Sequence, residues 1–212
     1  MAQVGTSCRE AIRQAQSSCR LNGRTIPPDK TSPYCQSRGN IPVEVLRQIH
    51  QGVVDEAEGV VAQKDRWCGH RVFAVDGSTV TLEDTPDNQE AFPQQSVQKP
   101  GCGFPIMRLV ALFSLATGMI TAWATGHWFT SEITLFQLLW EHLRAGDILL
   151  GDRGFGCWAT LAQCQMLGIE GVFRLHGGRN ADWRKGKRLS RDERLVQWVK
   201  PVLRPRYLSA EQ

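Results

Sequence analysis

Two short apolar runs, each delivering an aspartate, most constrain how this chain can fold: V-F-A-V precedes Asp76, and I-L-L precedes Gly151 and Asp152. Runs this short, bounded by turn-forming residues, read as buried strands rather than helices. In open α/β sheets ligands gather where strands end, so this reading sets both carboxylates at carboxyl ends of strands. They stand 76 positions apart, so only the fold could bring them together. Paired carboxylates repel unless a divalent cation neutralises them. Mg²⁺ is the natural candidate, since it takes oxygen ligands and keeps waters and substrate phosphates in its remaining positions. The plainer reading makes Asp76 a turn or cap residue and Asp152 an Asx turn.

The other elements follow from local pattern. Residues 8–20 predict a short basic helix, and 22–40, rich in Gly, Pro, Ser and Asn, predict a loop. After Pro42, the spacing of Leu46, Ile49, Val53, Ala57 and Val60 predicts a helix ending near Asp65. R-V-F-A-V-D-G-S-T-V-T-L (71–82) reads as a strand around a D-G-S turn, followed by a long loop over 83–103. Strands are expected at 107–114 and 119–126, joined by L-A-T-G. A helix capped by Thr130 or Ser131 should carry Leu135, Leu138, Leu139 and Leu143 and stop before Gly146. A strand over 147–151, a helix over 158–167 and a strand over 171–175 complete a β-α-β-α-β order whose last three strands suit a parallel sheet.

At 212 residues the chain has room for one good-sized domain, or one with a small appendage. The longest apolar stretch, 109–124, is interrupted by Ser114, Thr117, Gly118 and Thr121 and is too short to span a bilayer. The N-terminus has no apolar region of a secretory signal, so a cytoplasmic location is expected. Seven cysteines without a C-x-x-C pair fit a reducing compartment. Cys68 and His70 in W-C-G-H would need a second pair to hold zinc, and none is visible.

Charge is unevenly spread. Residues 174–206 hold eleven Lys/Arg against three acids, 1–40 hold six against two, and the stretch between holds eight against fifteen. Basic flanks around an acidic centre suit a protein that grips a polyanion and concentrates carboxylates where cations sit; solvated faces explain the same charges.

Two enzyme families resemble parts of this sequence. F-A-V-D-G-S-T is similar to the first motif of haloacid-dehalogenase-type phosphatases, but Ala74 stands where the nucleophilic aspartate would be, so that reading remains the weaker alternative. The blocks 75–93, 98–118, G-D-I-L-L-G-D-R-G-F (146–155) and V-F-R-L-H (172–176) resemble transposases of bacterial insertion sequences, the IS-four group. The likeness covers roughly residues 40–206, with four blocks in order.

That resemblance implies a ribonuclease-H-like mixed sheet flanked by helices, preceded by N-terminal helices and followed by the start of a β-rich insertion. It implies a helical DNA-binding region over 1–66, an incomplete catalytic core over 67–176 and a basic opening of the insertion over 177–212. Asp76 and Asp152 become the first two members of a DDE triad, holding Mg²⁺ or Mn²⁺ for strand cleavage at the transposon end and for strand transfer to target DNA. The family's third acid lies in Y-x₂-R-x₃-E-x₆-K. After Tyr207 this chain has Ala210 in place of the arginine, and Glu211 is out of spacing, so no third catalytic acid is assigned. Glu132 is the nearest substitute, though a first-turn glutamate reads first as a helix-dipole partner.

Arg153, Arg174, Arg179, Arg184, Lys185, Lys187 and Arg188 are the candidate DNA contacts, with Trp183 and Trp198 able to stack on a base or to pack in a core. The expected partner is double-stranded DNA, at transposon ends and target, with a homodimer as the candidate assembly and no membrane. The chain reads as a truncated transposase, weak or inactive alone. The alternative is a catalytically dead DNA-binding remnant or regulator of transposition.

Overall fold

The computed structural model describes residues 7–97, 99, 101–175, 184, 186–203, 205, 207 and 208. The chain divides into two compact units, Met1–Val53 and Val54–Gln212, with the boundary inside a helix.

In the first unit, helix α1 (Cys8–Leu21) begins where Ser7 accepts a hydrogen bond from the Glu10 amide, and carries Arg20 in its last turn, where a cation faces the negative end of the helix dipole. The loop expected over 22–40 is corrected: Thr31–Gly39 forms a second helix, α2. Pro33 falls in its first turn, where a missing N–H breaks no helical bond, so the loop-like composition is compatible with a helix start. Helix α3 (Val43–Gly59) starts as expected but ends at Gly59 rather than near Asp65; a 3₁₀ turn, Gln63–Asp65, follows. Its stripe of Leu46, Ile49 and Val53 is exposed.

The second unit is built on a five-stranded sheet of β1 (Val72–Thr81), β2 (Ile106–Ser114), β3 (Ile120–His127), β4 (Ile148–Gly151) and β5 (Glu170–Phe173), in the order β3-β2-β1-β4-β5. β2 pairs antiparallel with both β1 and β3, while β4 pairs parallel with both β1 and β5. The sheet is therefore mixed and the class α/β, as expected. The parallel grouping of the last three strands is corrected for β3. The β2–β3 hairpin folds back beside β1, so β4 takes β1 as its parallel neighbour and β3 lies at the far edge.

Three connections differ from expectation. The loop over 83–103 contains a one-turn-and-a-half helix, α4 (Pro86–Ala91), capped by Thr85 with Pro86 at its first position. The helix expected over 131–145 is a short α5 (Glu132–Phe136), capped by the Ser131 side chain on Thr134 N, that tightens into a 3₁₀ turn over Gln137–His142. The strand expected over 171–175 is β5, ending at Phe173. Helix α6 (Trp158–Leu167) ends where expected, at a left-handed Gly168. Downstream, β6 (Lys187–Arg188) and β7 (Arg194–Leu195) pair as a separate antiparallel ribbon.

Alternation along each strand gives the sheet two unlike faces. Phe73, Val75, Val110, Leu112 and Leu149 point to one, where Leu135, Phe136 and Leu139 cover them. Phe155 closes this core edge-on against Phe136, with ring centroids 5.7 Å apart. Phe136 and Leu149 have no exposed surface, and burial at that level stabilises each by about 1.5–3 kcal/mol. Val72, Ile148, Leu150 and Val172 belong to the opposite face, where with Trp67 and Leu115 they line a depression of about 430 Å³.

One ion pair locks the register of β1 against β4. Asp147, fully buried, accepts from Arg71 Nε at 2.8 Å and from Arg71 Nη2, a bidentate fork, and its second oxygen also accepts from Arg144 N at 2.9 Å. The Arg71 guanidinium lies over the Phe73 ring, 4.8 Å from its centroid. Removing one partner strands a buried charge. Asp147→Ala is expected to destabilise the fold by about 3–5 kcal/mol in urea denaturation, whereas the apolar pair Arg71→Met with Asp147→Leu should recover most of that loss. An unchanged urea midpoint in Asp147→Ala would show the lock to be dispensable.

Candidate functional site

The D-G-S segment does not turn. β1 runs through it to Thr81, because β2 supplies partners along its whole length: Asp76 faces Ala111, Gly77 faces Val110 and Ser78 faces Leu109. The expectation that Asp76 ends its own strand is corrected on this point. What ends beside it is the neighbouring strand. β4 pairs with β1 only over Val72–Val75 and stops at Gly151.

The strand register then brings the expected residues together. Val75 pairs with Gly151, and Gly151 pairs with Phe173. One residue further along each strand stand Asp76, Asp152 and Arg174, with neighbouring strands about 4.8 Å apart. Arg174 is held at this level by its amide, which donates to Gly151 O at 3.3 Å. By alternation, Asp76 shares the face of Val72 and Ala74, the face that α5 does not cover. Asp76, Asp152, Arg153 and Arg174 are all exposed.

Each aspartate is oriented by a local bond. Asp76 Oδ1 accepts from Gly77 N at 2.8 Å, and Asp152 Oδ1 accepts from Gly154 N at 2.7 Å, the Asx turn of the plainer reading. The turn after Asp152 is anchored by Phe155, buried in the core, while the amides of Phe155 and Gly156 both donate to Asp152 O at 3.3 Å. An apolar anchor two residues after an exposed Arg153 holds the R-G-F-G loop in one path.

Two exposed carboxylates on adjacent strand ends offer hard oxygen donors of the kind that suit a divalent cation. No three His, Cys, Asp or Glu side chains converge on one cation position among the described residues. Cys68 is exposed, at φ 49°, and His70 Nδ1 lies 2.7 Å from Gly146 O, so W-C-G-H gains no further zinc ligand among the described residues.

The remaining expected contacts are spread out. Arg184, Lys187 and Arg188 are exposed or nearly so around the β6–β7 ribbon, which shares no strand pairing with the sheet of the aspartates. Arg188 Nε donates to Ser190 O at 3.0 Å. Trp198 is 38% exposed, and its carbonyl accepts from Trp158 Nε1 at 3.0 Å. Arg179, Trp183, Lys185, Ala210 and Glu211 lie outside the described residues. Tyr207 Oη stands 3.1 Å from Cys157 Sγ, at the start of α6. One contact escapes any sequence argument: the Glu132 side chain packs directly on Gly77, where Cδ lies 2.5 Å from the position a Cβ would take.

A family model described as a transposase DDE domain matches residues 67–208. Over 166 residues the chain is 27% identical to "Transposase InsG for insertion sequence element IS4" of Escherichia coli (strain K12), covering 78% of this chain and 37% of that protein. Over 93 residues it is 30% identical to "Putative transposase InsZ" of the same organism, covering 43% of this chain and 31% of that protein. The chain thus spans about a third of the length of these curated relatives.

Two expectations test the scaffold. A Cβ on Gly156 would lie 2.6 Å from Phe173 Cβ and 3.4 Å from Arg174 O, so Gly156→Ala should cost about 1–3 kcal/mol in thermal or urea unfolding, relieved in part by Phe173→Ala. Burial pushes the Cys164 thiol up to about 11. Its thiolate is therefore scarce until pH approaches that value. At pH 8 iodoacetamide should label exposed Cys68 and Cys102 in the native chain and reach Cys164 only after unfolding, as peptide mapping would read.

Proposed function

The chain belongs to the transposase DDE-domain family, and on that premise we propose that Asp76 and Asp152 bring divalent metal to a DNA phosphodiester for strand cleavage and transfer. The observation that carries this reading is the register: two aspartates on adjacent parallel strands, each one residue past the pair Val75 and Gly151. Mg²⁺ or Mn²⁺ bound there would supply Lewis acidity toward the phosphate and the attacking hydroxyl. The protein's own part is positional. The β1–β4 ladder sets the two residues at neighbouring positions, and the local bonds from Gly77 N and Gly154 N engage one oxygen of each carboxylate.

Arg174, in the same row, and Arg153, next to Asp152, are suited to hold a phosphate beside the carboxylates. Arg184, Lys187 and Arg188, with Arg179 and Lys185, extend the grip along the DNA backbone, a sequence-independent contribution that weakens with salt. The helices of residues 1–66 contribute to recognition of transposon ends, and the protein acts in the cytoplasm as a homodimer. The same family match favours this reading over the phosphatase, whose nucleophile position is Ala74.

A second reading, a DNA-binding remnant without cleavage, would rest on the exposed basic residues Arg184, Lys187 and Arg188 alone. The two separate on a supercoiled plasmid carrying the ends of the DNA element that encodes the chain. Mn²⁺-dependent nicks that vanish in Asp76→Ala and in Asp152→Ala uphold the enzyme. Binding without nicks upholds the remnant, and hydrolysis of p-nitrophenyl phosphate would favour the phosphatase. Replacing both Arg153 and Arg174 by alanine should lower the slope of log affinity against log salt by about 2, measured by fluorescence anisotropy on a duplex.

A further inference from the structure

We propose that Cys8 and Cys35 form a reversible disulfide within the chain that clamps α2 to α1 when the protein meets a peroxide. The observation behind it is geometric. The Cys35 thiol donates to Cys8 Sγ at 3.5 Å, so the two sulfurs already touch. They belong to different helices: Cys8 is the first residue of α1 and Cys35 the middle residue of α2. Cys35 is exposed and Cys8 half-buried, so a small oxidant reaches the pair from solvent.

The unit that carries them explains what a bond there would do. Among its described residues only Ile12 is buried. Helix α2 buries no residue of its own, and no side chain caps its start. Local opening costs least where few apolar contacts must break, so two helices joined this way part easily. A cross-link over the 27 positions from Cys8 to Cys35 removes many of the open arrangements. A covalent tie has its largest effect on a small unit short of core.

Closure needs one peroxide and no other reagent. A sulfur of the pair, as thiolate, attacks the O–O bond of hydrogen peroxide, becomes a sulfenic acid and releases water. The other sulfur attacks the sulfenic sulfur; the S–S bond forms, the S–O bond breaks and a second water leaves. Two electrons pass from the sulfurs to the peroxide, and both thiol protons end in the waters. The sulfurs draw together from 3.5 Å to about 2.0 Å, a distance that α2, with nothing buried, can yield. A dithiol reverses the bond by exchange. The hydrogen bond to Cys8 pushes the Cys35 thiol above its ordinary value, with Arg38 offsetting part of the rise. Cys35 therefore rests as the thiol, and the pair stays reduced until peroxide accumulates.

The test is peptide mapping of the intact chain after hydrogen peroxide at pH 8, with remaining thiols blocked by N-ethylmaleimide before trypsin. The expected product joins the peptide ending at Arg9 to the peptide from Thr31 to Arg38. Dithiothreitol should abolish it, Cys19→Ser should leave it unchanged, and Cys8→Ser should lack it. Hydrogen exchange gives the second reading: the amides of α2 should exchange about tenfold more slowly in the oxidised chain than in the reduced one, with no such change in peroxide-treated Cys8→Ser. If peroxide carries the thiols to sulfinic acid without a cross-link, or joins Cys35 of two chains, closure within the chain is overturned. If Cys35 links as often to Cys19 or Cys68 as to Cys8, the contact has no directing effect and the pair is overturned. A Cys8–Cys35 link that leaves the exchange of α2 unchanged overturns the clamp.

Discussion

The geometry of the site depends on the register between β1 and β4, and that register is held from its far end. Arg71 and Asp147 form a buried fork where the two strands begin, and Asp76 and Asp152 lie five residues further along each strand. A one-residue slip would separate the fork and would also move one aspartate to the opposite face. The same ion pair that stabilises the sheet therefore sets where the two carboxylates stand relative to each other. The apolar pairs between them, Phe73 with Leu149 and Val75 with Gly151, carry this register from one end to the other.

Much of this arrangement was legible in the residues, and the exceptions share a cause. The I-L-L run, the Gly168 stop and the delivery of Asp152 at a strand end depend on local pattern, and they stand as expected. Asp76 was harder, because whether a D-G-S segment turns or continues depends on a partner strand. β2 extends to Ile106 and carries β1 onward. The parallel neighbour of β4 depended on where the β2–β3 hairpin folded, again a non-local choice. Helices α2 and α4 hide in Pro-rich stretches because proline in a first turn carries the same signature as a loop. The seat of Glu132 on Gly77 joins residues from two elements and has no signature in either. The basic residues were legible as a cluster, but the structure divides them between the row of the aspartates and a separate ribbon.

The two faces of the sheet divide the work. One is packed with aromatic and aliphatic side chains and holds the strands in place; Phe155 ties the loop after Asp152 into that same core. The other presents the acidic row above an apolar depression lined by Val72, Ile148, Leu150 and Val172. On the function proposed above, a phosphate at Asp76 and Asp152 would meet charge at the strand ends and little polar surface beneath.

The separation of the two halves of the register also has a consequence in time. Val75 and Gly151 are joined by hydrogen bonding across 76 residues of chain, and no short hairpin can assemble the pair early. During synthesis at roughly 5–20 residues per second, Asp76 is made about 4–15 s before Asp152 exists. Until then β1 has only β2 to pair with, and its other edge stands open to any extended chain nearby. The nascent protein therefore passes through an interval in which its most order-dependent strand is half-protected, and the arrival of I-L-L-G-D closes that edge and completes the acidic pair in a single event.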